Sequence, residues 1–377
     1  MPDTLRVLQI DSGREWRGGQ NQARLLCREL ARQPGVEQVL VTKRGSELAR
    51  RAQQDHVRVH EVPWLIGLDP GAWAALGGEM LRFRPHIIHA HDGHALWLAL
   101  QARRWLGLLA WVFIAPAAQE FKDTLARVLG TRRVDFHIRR RSGLTRLLAG
   151  DSAWIRADHV VAVSAAVKDV LVSDGRAAGE VTVIPDGIDP YEVGRAAQEP
   201  ANIRQRLHLP AGTPLVVNVA ALVDHKDQHT LLRAARHARV ARPDLHWAIA
   251  GEGVLRGSLT AEIGRLGLAD RVHLLGYVEQ ADALIRECDV FVMSSKEEGL
   301  GSVILNALAL EKPVVATAAG GIPEILPAAA LVPVGDATAL ADKVVAALDH
   351  RAPVPLPARF TASAMAQGVL DVYRSLL

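Results

Sequence analysis

A chain of 377 residues and 40.8 kDa is long enough for two domains of ordinary size. Its 49% hydrophobic and 23% charged residues exclude a disordered or fibrous protein and predict a globular one. Net charge is only +3, and Cys27 and Cys288 match no metal spacing, so a disulfide scaffold is excluded and a reducing, cytoplasmic compartment is expected.

In chain order, "MPDTLRVLQIDSG" carries acids where a secretory leader has its apolar centre, so no signal peptide is expected. "RVLQID" predicts a first strand, followed by the pair Gly18 and Gly19 and a helical run to about Arg32. "QVLVTK", "VRVHEV" and "HIIHAH" continue the strand series. His86, His89 and His91 lie in the last of these, with Asp92 and His94 beyond. His89 and His91 share a strand face, which suits either a metal or neutral capping and acceptor contact; the spacing is generic and favours the second. The greasiest run, "WLGLLAWVFIAPAA" from Trp105 to Ala118, falls short of the ~18–20 residues that span a bilayer. It suits burial or the surface of a membrane. The positive excess collects between Arg132 and Arg146, in "RRVDFHIRRRSGLTR". Such a run suits nucleic acid, anionic lipid or a phosphorylated substrate, and equally an ordinary solvated loop. "HVVAVS" and "VTVIPDG" close this first series.

"PDGIDPYEVGRAAQEPANI" has the prolines and glycines of a linker and no strong periodicity. A second strand series then runs through "PLVVNVAAL", "LHWAIAG", "RVHLLGY", "DVFVMSS" and "KPVVATA". These strands are short, β-branched and apolar on both faces, as helices on both sides of a parallel sheet require. The expected architecture is therefore α/β: a Rossmann-like domain over 1–186, a linker over 187–200, a second Rossmann-like domain over 201–360 and a closing helix over 361–377. Two such domains would face an interdomain cleft with the C-terminal ends of their strands.

The strand ends of the second domain carry the sharpest signals. "KEEGLGS" precedes a helix expected from about Ser302 to Glu311, and Gly299 and Gly301 would let backbone approach a ligand. Unpaired N–H groups at the helix start suit a diphosphate, although Ser295 and Glu298 also fit an ordinary capping box. "AAGGIPE" repeats the design, with Gly320, Gly321 and Pro323. Lys226, in "AALVDHKDQHTLL", would bring an ammonium to the same rim. "GEGVLRG" is a loose glycine motif beside a nucleotide site rather than a hydride-transfer fingerprint. The chain has no Asp-x-Asp, P-loop, G-x-S-x-G or H-E-x-x-H.

Together, "SKEEGLGSVILNALALEKPVVATAAGGIPEI", "HAHDGHA", "TRRVDF", "HVVAVSAAV", "VIPDGID" and the Lys226 loop resemble, in order and over nearly the whole chain, the family 4 retaining glycosyltransferases of the GT-B fold. The resemblance implies transfer of a sugar from a nucleotide-diphosphate sugar, a UDP-sugar by default, to a saccharide or lipid-linked acceptor in cell-envelope glycan synthesis. It implies catalytic roles for Glu298, on donor-sugar hydroxyls, and Lys226, on the diphosphate. Gly299, Leu300, Gly301 and Ser302 would approach sugar and phosphates, Tyr277 and Val278 the base, and Gly18 and Gly19 the phosphates or acceptor. His91, Asp92, Arg132, Arg133 and Asp135 are the acceptor-side candidates. No metal, organic cofactor or nucleic acid is expected, and the location implied is cytoplasmic, with contact at the inner face of an anionic membrane.

Two positions depart from the family pattern. Asn306 stands where a second glutamate usually holds the ribose and is a donor-binding candidate whose free amide would hydrogen-bond the ribose hydroxyls in its place, and Ala221 stands where an arginine commonly joins the lysine. Alternatives left open are a noncatalytic nucleotide-sugar binder of the same fold, a GT-B epimerase, or a phosphorylase.

Overall fold

A computed structural model describes the protein over residues 4–64, 70–113, 126–134 and 153–377. The chain divides into two compact units, Met1–Gly187 with Ala362–Leu377, and Ile188–Thr361. Residues 114–125 and 135–152, which include Asp135, Arg139, Arg140 and Arg141, lie outside the described residues.

The first unit holds seven strands: β1 (Leu5–Asp11), β2 (Val36–Lys43), β3 (Val59–Val62), β4 (Ile87–Ala90), β5 (Arg127–Arg132), β6 (His159–Ala162) and β7 (Val181–Val183). They pair in parallel in the order β3-β2-β1-β4-β5-β6-β7. Consecutive residues of β1 and β4 are buried, so both faces of the sheet are covered, which is why these strands lack the polar alternation of a half-exposed sheet. β5 runs directly into "TRRVDF", a strand that the sequence pattern blurs because Gly130 and Thr131 interrupt its apolar run. Gly18 and Gly19 do not precede the helical run but open it, as the first residues of the helix Gly18–Ala31.

The closing helix, Ala362–Ser375, belongs to this first unit. Its Met365, Val369, Leu370 and Tyr373 share one apolar cluster with Leu25, Leu26 and Leu30 and with Leu5, Val7 and Ile87 of the sheet. Spacing of three to four residues puts these side chains on one stripe of the helix.

The second unit holds β8 (Leu215–Val219), β9 (His246–Ala250), β10 (Val272–Gly276), β11 (Val290–Met293), β12 (Val314–Thr317) and β13 (Leu331–Val332). They are parallel in the order β10-β9-β8-β11-β12-β13. Leu231, Ala235 and Ala238 of the helix Gln228–Ala241 pack with Leu340 and Val344 of the helix Ala337–His350 on Val216, Val290 and Trp247.

The stretch expected as a linker is not irregular throughout. Asp189 caps a helix, Pro190–Ala196, by accepting from the N–H groups of Tyr191 and Glu192, and that helix is part of the second unit. Proline at its first position and only seven residues of length hide its periodicity. "GEGVLRG" has a packing explanation. Gly251 has φ +145°, and a Cβ there would lie 1.9 Å from the carbonyl oxygen of Ala220, so the loop after β9 closes directly on the loop after β8.

Candidate functional site

In the second sheet the strand order reverses between β8 and β11, and the loops leaving their C-terminal ends are tied together. The Lys296 N–H donates to the His225 carbonyl at 2.8 Å, and Ser294 Oγ donates to the Lys226 carbonyl at 3.0 Å. Such a reversal is where open α/β sheets bind ligands. Lys226 is set by its own loop. Asp227 adopts φ +47° and caps the following helix through Thr230, which turns residues 224–226 into one tight turn at the rim.

Lys226 Nζ pairs with the Glu298 carboxylate across these two loops. Ser295 Oγ donates to the same Glu298 oxygen at 2.9 Å, so Ser295 is a side-chain partner of Glu298 rather than a helix cap. Glu298 is 7% exposed, and its own carbonyl accepts the Gly321 N–H at 3.1 Å. Thr317 Oγ1 holds the Ser295 carbonyl at 2.6 Å. One cation and one anion are thus fixed side by side at the switch point.

The glycine segments differ from expectation in extent. The first helix runs Val303–Ala309, shorter than expected, because Glu311 takes a left-handed conformation (φ +54°) and Lys312 N–H closes on the Ala307 carbonyl. The segment after Gly321 is a single 3-10 turn, Ile322–Glu324, so the expected second helix start is absent there. Gly301, at φ +85°, packs against Ile304 and Ile322, while Leu300 is buried at 2% exposure. At the end of β10, Tyr277 is 64% exposed and Val278 partly buried. Asn306 is already engaged: its amide donates to Asp282 Oδ1 at 2.7 Å.

The first unit has a second polar cluster where its sheet order reverses between β1 and β4. Asp92 accepts from the Ser12 N–H and Oγ, both at 2.7 Å, and from the Ala95 N–H at 2.8 Å. Arg133 Nε meets Asp186 at 3.0 Å and its Nη1 meets the His91 carbonyl at 3.3 Å. Gly19 lies under the Arg133 side chain. His89 is structural: its two ring nitrogens meet Tyr373 OH at 2.6 Å and Thr131 Oγ1 at 2.7 Å, and burial holds it neutral, down to about 3. His91 bonds Gln9 at 2.9 Å and is likewise pushed down by burial. Arg132 is held inward at the end of β5. It is 3% exposed, its Nε donates to the Val134 carbonyl, and its guanidinium lies over Trp154.

Asp11, at the end of β1, belongs to this polar cluster, and sequence reasoning passes over it although a strand-terminal acid just before a glycine is a recognisable signal. Burial pushes its carboxyl up to about 6, with the Asp92 charge adding, against the Gly13 N–H, Gln20 and Arg133. The folded form therefore holds this proton more tightly than the unfolded chain, whose ordinary value is 3.8. Stability should fall as pH rises from about 4 to about 6, by about 2–3 kcal/mol at most from this group. Asp11→Asn is expected to flatten that part of the stability curve in chemical denaturation; an unchanged slope would assign the loss to other groups.

Both cysteines are buried, and burial pushes the Cys288 thiol up to about 12 and Cys27 higher still. Among the described residues no group of three or more metal-ligating side chains converges, and no helix is long and apolar enough to cross a membrane.

Two family descriptions match the chain, Glycosyltransferase Family 4 over residues 16–192 and Glycosyl transferases group 1 over residues 200–366, and between them they cover most of it. The 2-deoxystreptamine glucosyltransferase of Streptomyces kanamyceticus is 28% identical over 77% of this chain and 76% of its own. The 2-deoxystreptamine N-acetyl-D-glucosaminyltransferase of Streptomyces fradiae is 29% identical over 89% and 84%. A shorter match, 37% identical over 31% and 34%, is to the lipopolysaccharide core biosynthesis glycosyltransferase LpsE of Rhizobium meliloti. Anabaena HepE, solved with UDP-glucose, shares the fold with a TM-score of 0.73 at 19% identity, over 99% of this chain and 98% of its own.

Proposed function

We propose, because the chain belongs to glycosyltransferase family 4 and has the GT-B fold, that it moves a sugar with retention from a UDP-sugar to a saccharide or lipid-linked acceptor in envelope glycan synthesis. The observation that carries this reading is the Lys226–Glu298 pair at the switch point of the second sheet, fixed by Ser295. A departing nucleoside diphosphate gathers negative charge, and an ammonium already in place stabilises that charge more in the transition state than in the ground state. Glu298 offers acceptor oxygens to the sugar hydroxyls, and Gly299–Ser302 brings backbone close to sugar and phosphates. Because Lys226 supplies the positive charge, the reaction needs no metal, and activity should survive chelation by EDTA.

Uridine as the base is supported by the shared fold with HepE, which was solved with UDP and with UDP-glucose. The envelope role is supported by the likeness to LpsE. The two relatives that align over most of the chain are named for 2-deoxystreptamine, so that molecule belongs in the acceptor panel. Inner-face membrane contact rests on the sequence run of Arg139, Arg140 and Arg141 and predicts binding to anionic liposomes at low salt that is lost at high salt.

The test is a thermal-shift panel of UDP-, GDP- and ADP-sugars followed by transfer assays. A bound donor raises the unfolding temperature by mass action, and UDP-sugars should give the largest rise. Binding without hydrolysis or transfer to any acceptor would favour the noncatalytic reading instead.

A further inference from the structure

Asp282 has no part in the reading so far. It sits in the first turn of the helix Ala281–Glu287, and Asn306 of the helix Val303–Ala309 donates to its Oδ1 at 2.7 Å. Among the described residues no lysine or arginine pairs with it, and the charged neighbour that acts on it, Glu192, has the same sign. Burial and then Glu192 raise this carboxyl, against the Asn306 bond. A partly buried carboxylate without a cation costs stability unless donors or water reach it. Its second oxygen has no donor among the described residues.

The position of Asp282 says which donors could come. The helix Ala281–Glu287 is reached from the C-terminal end of β10, through Tyr277 and Val278, and the helix Val303–Ala309 through Gly299–Ser302. Both connecting segments lie on the edge of the sheet that carries Lys226 and Glu298. A carboxylate there repels the phosphates of a nucleotide. It also lacks the free pair of oxygens that a guanine edge engages side by side, since Oδ1 is taken by Asn306. One open oxygen with its lone pairs suits vicinal hydroxyls.

We propose that Asp282, held in place by Asn306, accepts the ribose hydroxyls of the bound nucleotide. This rests on the donor reading above. Asp282 is the residue that touches the ligand and Asn306 is a positioning residue that fixes the carboxylate's rotation. The position in the second helix without a carboxylate is thus matched by a carboxylate on the neighbouring helix, one hydrogen bond away.

The test is isothermal titration of UDP, GDP and ADP, each in its ribo and 2′-deoxy form, against the full-length protein. The wild type should bind its preferred ribonucleotide on the order of 10- to 100-fold more tightly than the 2′-deoxy form, as loss of a bond to a charged group predicts. Asp282→Asn should bring the ribonucleotide down to the deoxy level with little change for the deoxy form. The exchange variant, Asp282→Asn with Asn306→Asp, keeps the bond between the helices and moves the charge, and should restore part of the preference. A wild type that binds ribo and deoxy forms equally overturns the proposal, as does an Asp282→Asn protein that keeps the preference or loses affinity for GDP alone. A wild type that binds none of the six nucleotides removes the donor reading itself, which is seen before any variant is measured.

Discussion

Lys226→Ala is expected to lower kcat by about 10²-fold or more, the scale seen when one preorganised electrostatic donor is removed, with a smaller change in KM. The geometry predicts a second effect that separates catalysis from folding. Glu298 is buried against Lys226, so removing the ammonium leaves a buried carboxylate, hydrogen-bonded by Ser295, without its paired cation. Breaking a buried pair from one side costs about 3 kcal/mol or more. Adding Glu298→Gln removes the stranded charge and keeps an acceptor for Ser295, so stability should recover in the double variant. Turnover should not recover. Steady-state kinetics beside urea denaturation read both outcomes. A normal kcat in Lys226→Ala would remove this residue from the mechanism.

Gly301→Ala is expected to destabilise the second unit by about 2–4 kcal/mol, which is large for adding one methyl group. Two costs combine. The residue has φ +85°, where an L side chain is strained by about 1–2 kcal/mol. The new Cβ would also lie 3.2 Å from Ile322 Cγ1 and 3.3 Å from Ile304 Cδ1, both in fully buried side chains that have little room to withdraw. Denaturant midpoints check this, and Ser302→Ala, one residue on, serves as a control without a left-handed backbone. Equal midpoints for Gly301→Ala and the native protein would show that this turn relaxes freely.

Much of the architecture is legible in the sequence because parallel strands covered on both sides must be apolar throughout, and glycines punctuate their ends. The Lys226 and Glu298 loops are legible for the same reason: polar residues directly after buried strands have few structural uses. Partnership is not legible. Asn306 reads as a side chain free to meet a ligand, yet its partner Asp282 lies on another helix with no motif to mark it. Arg132 reads as an exposed charge from its neighbours, although β5 carries it inward against Trp154. The helix Pro190–Ala196 escapes detection because seven residues with one buried apolar side chain show no period. Pairings between elements depend on the packing of distant segments, which local pattern does not encode.

The closing helix has a consequence for the order of manufacture. Gln9 donates to Tyr373 OH across 364 residues of chain, and the apolar cluster that joins Leu25, Leu26 and Leu30 to Met365 and Val369 waits for the same late segment. During synthesis from the N-terminus, residues 188–361 have all been made before Ala362 is added. The unit translated first is thus the last to be completed, and it waits through the synthesis of residues 188–361 with one side of its core uncovered. Ribosomes paused within the second unit would hold a nascent chain that is sticky at its beginning, so chaperone demand should persist until residues 362–377 are made rather than end once residue 187 has emerged.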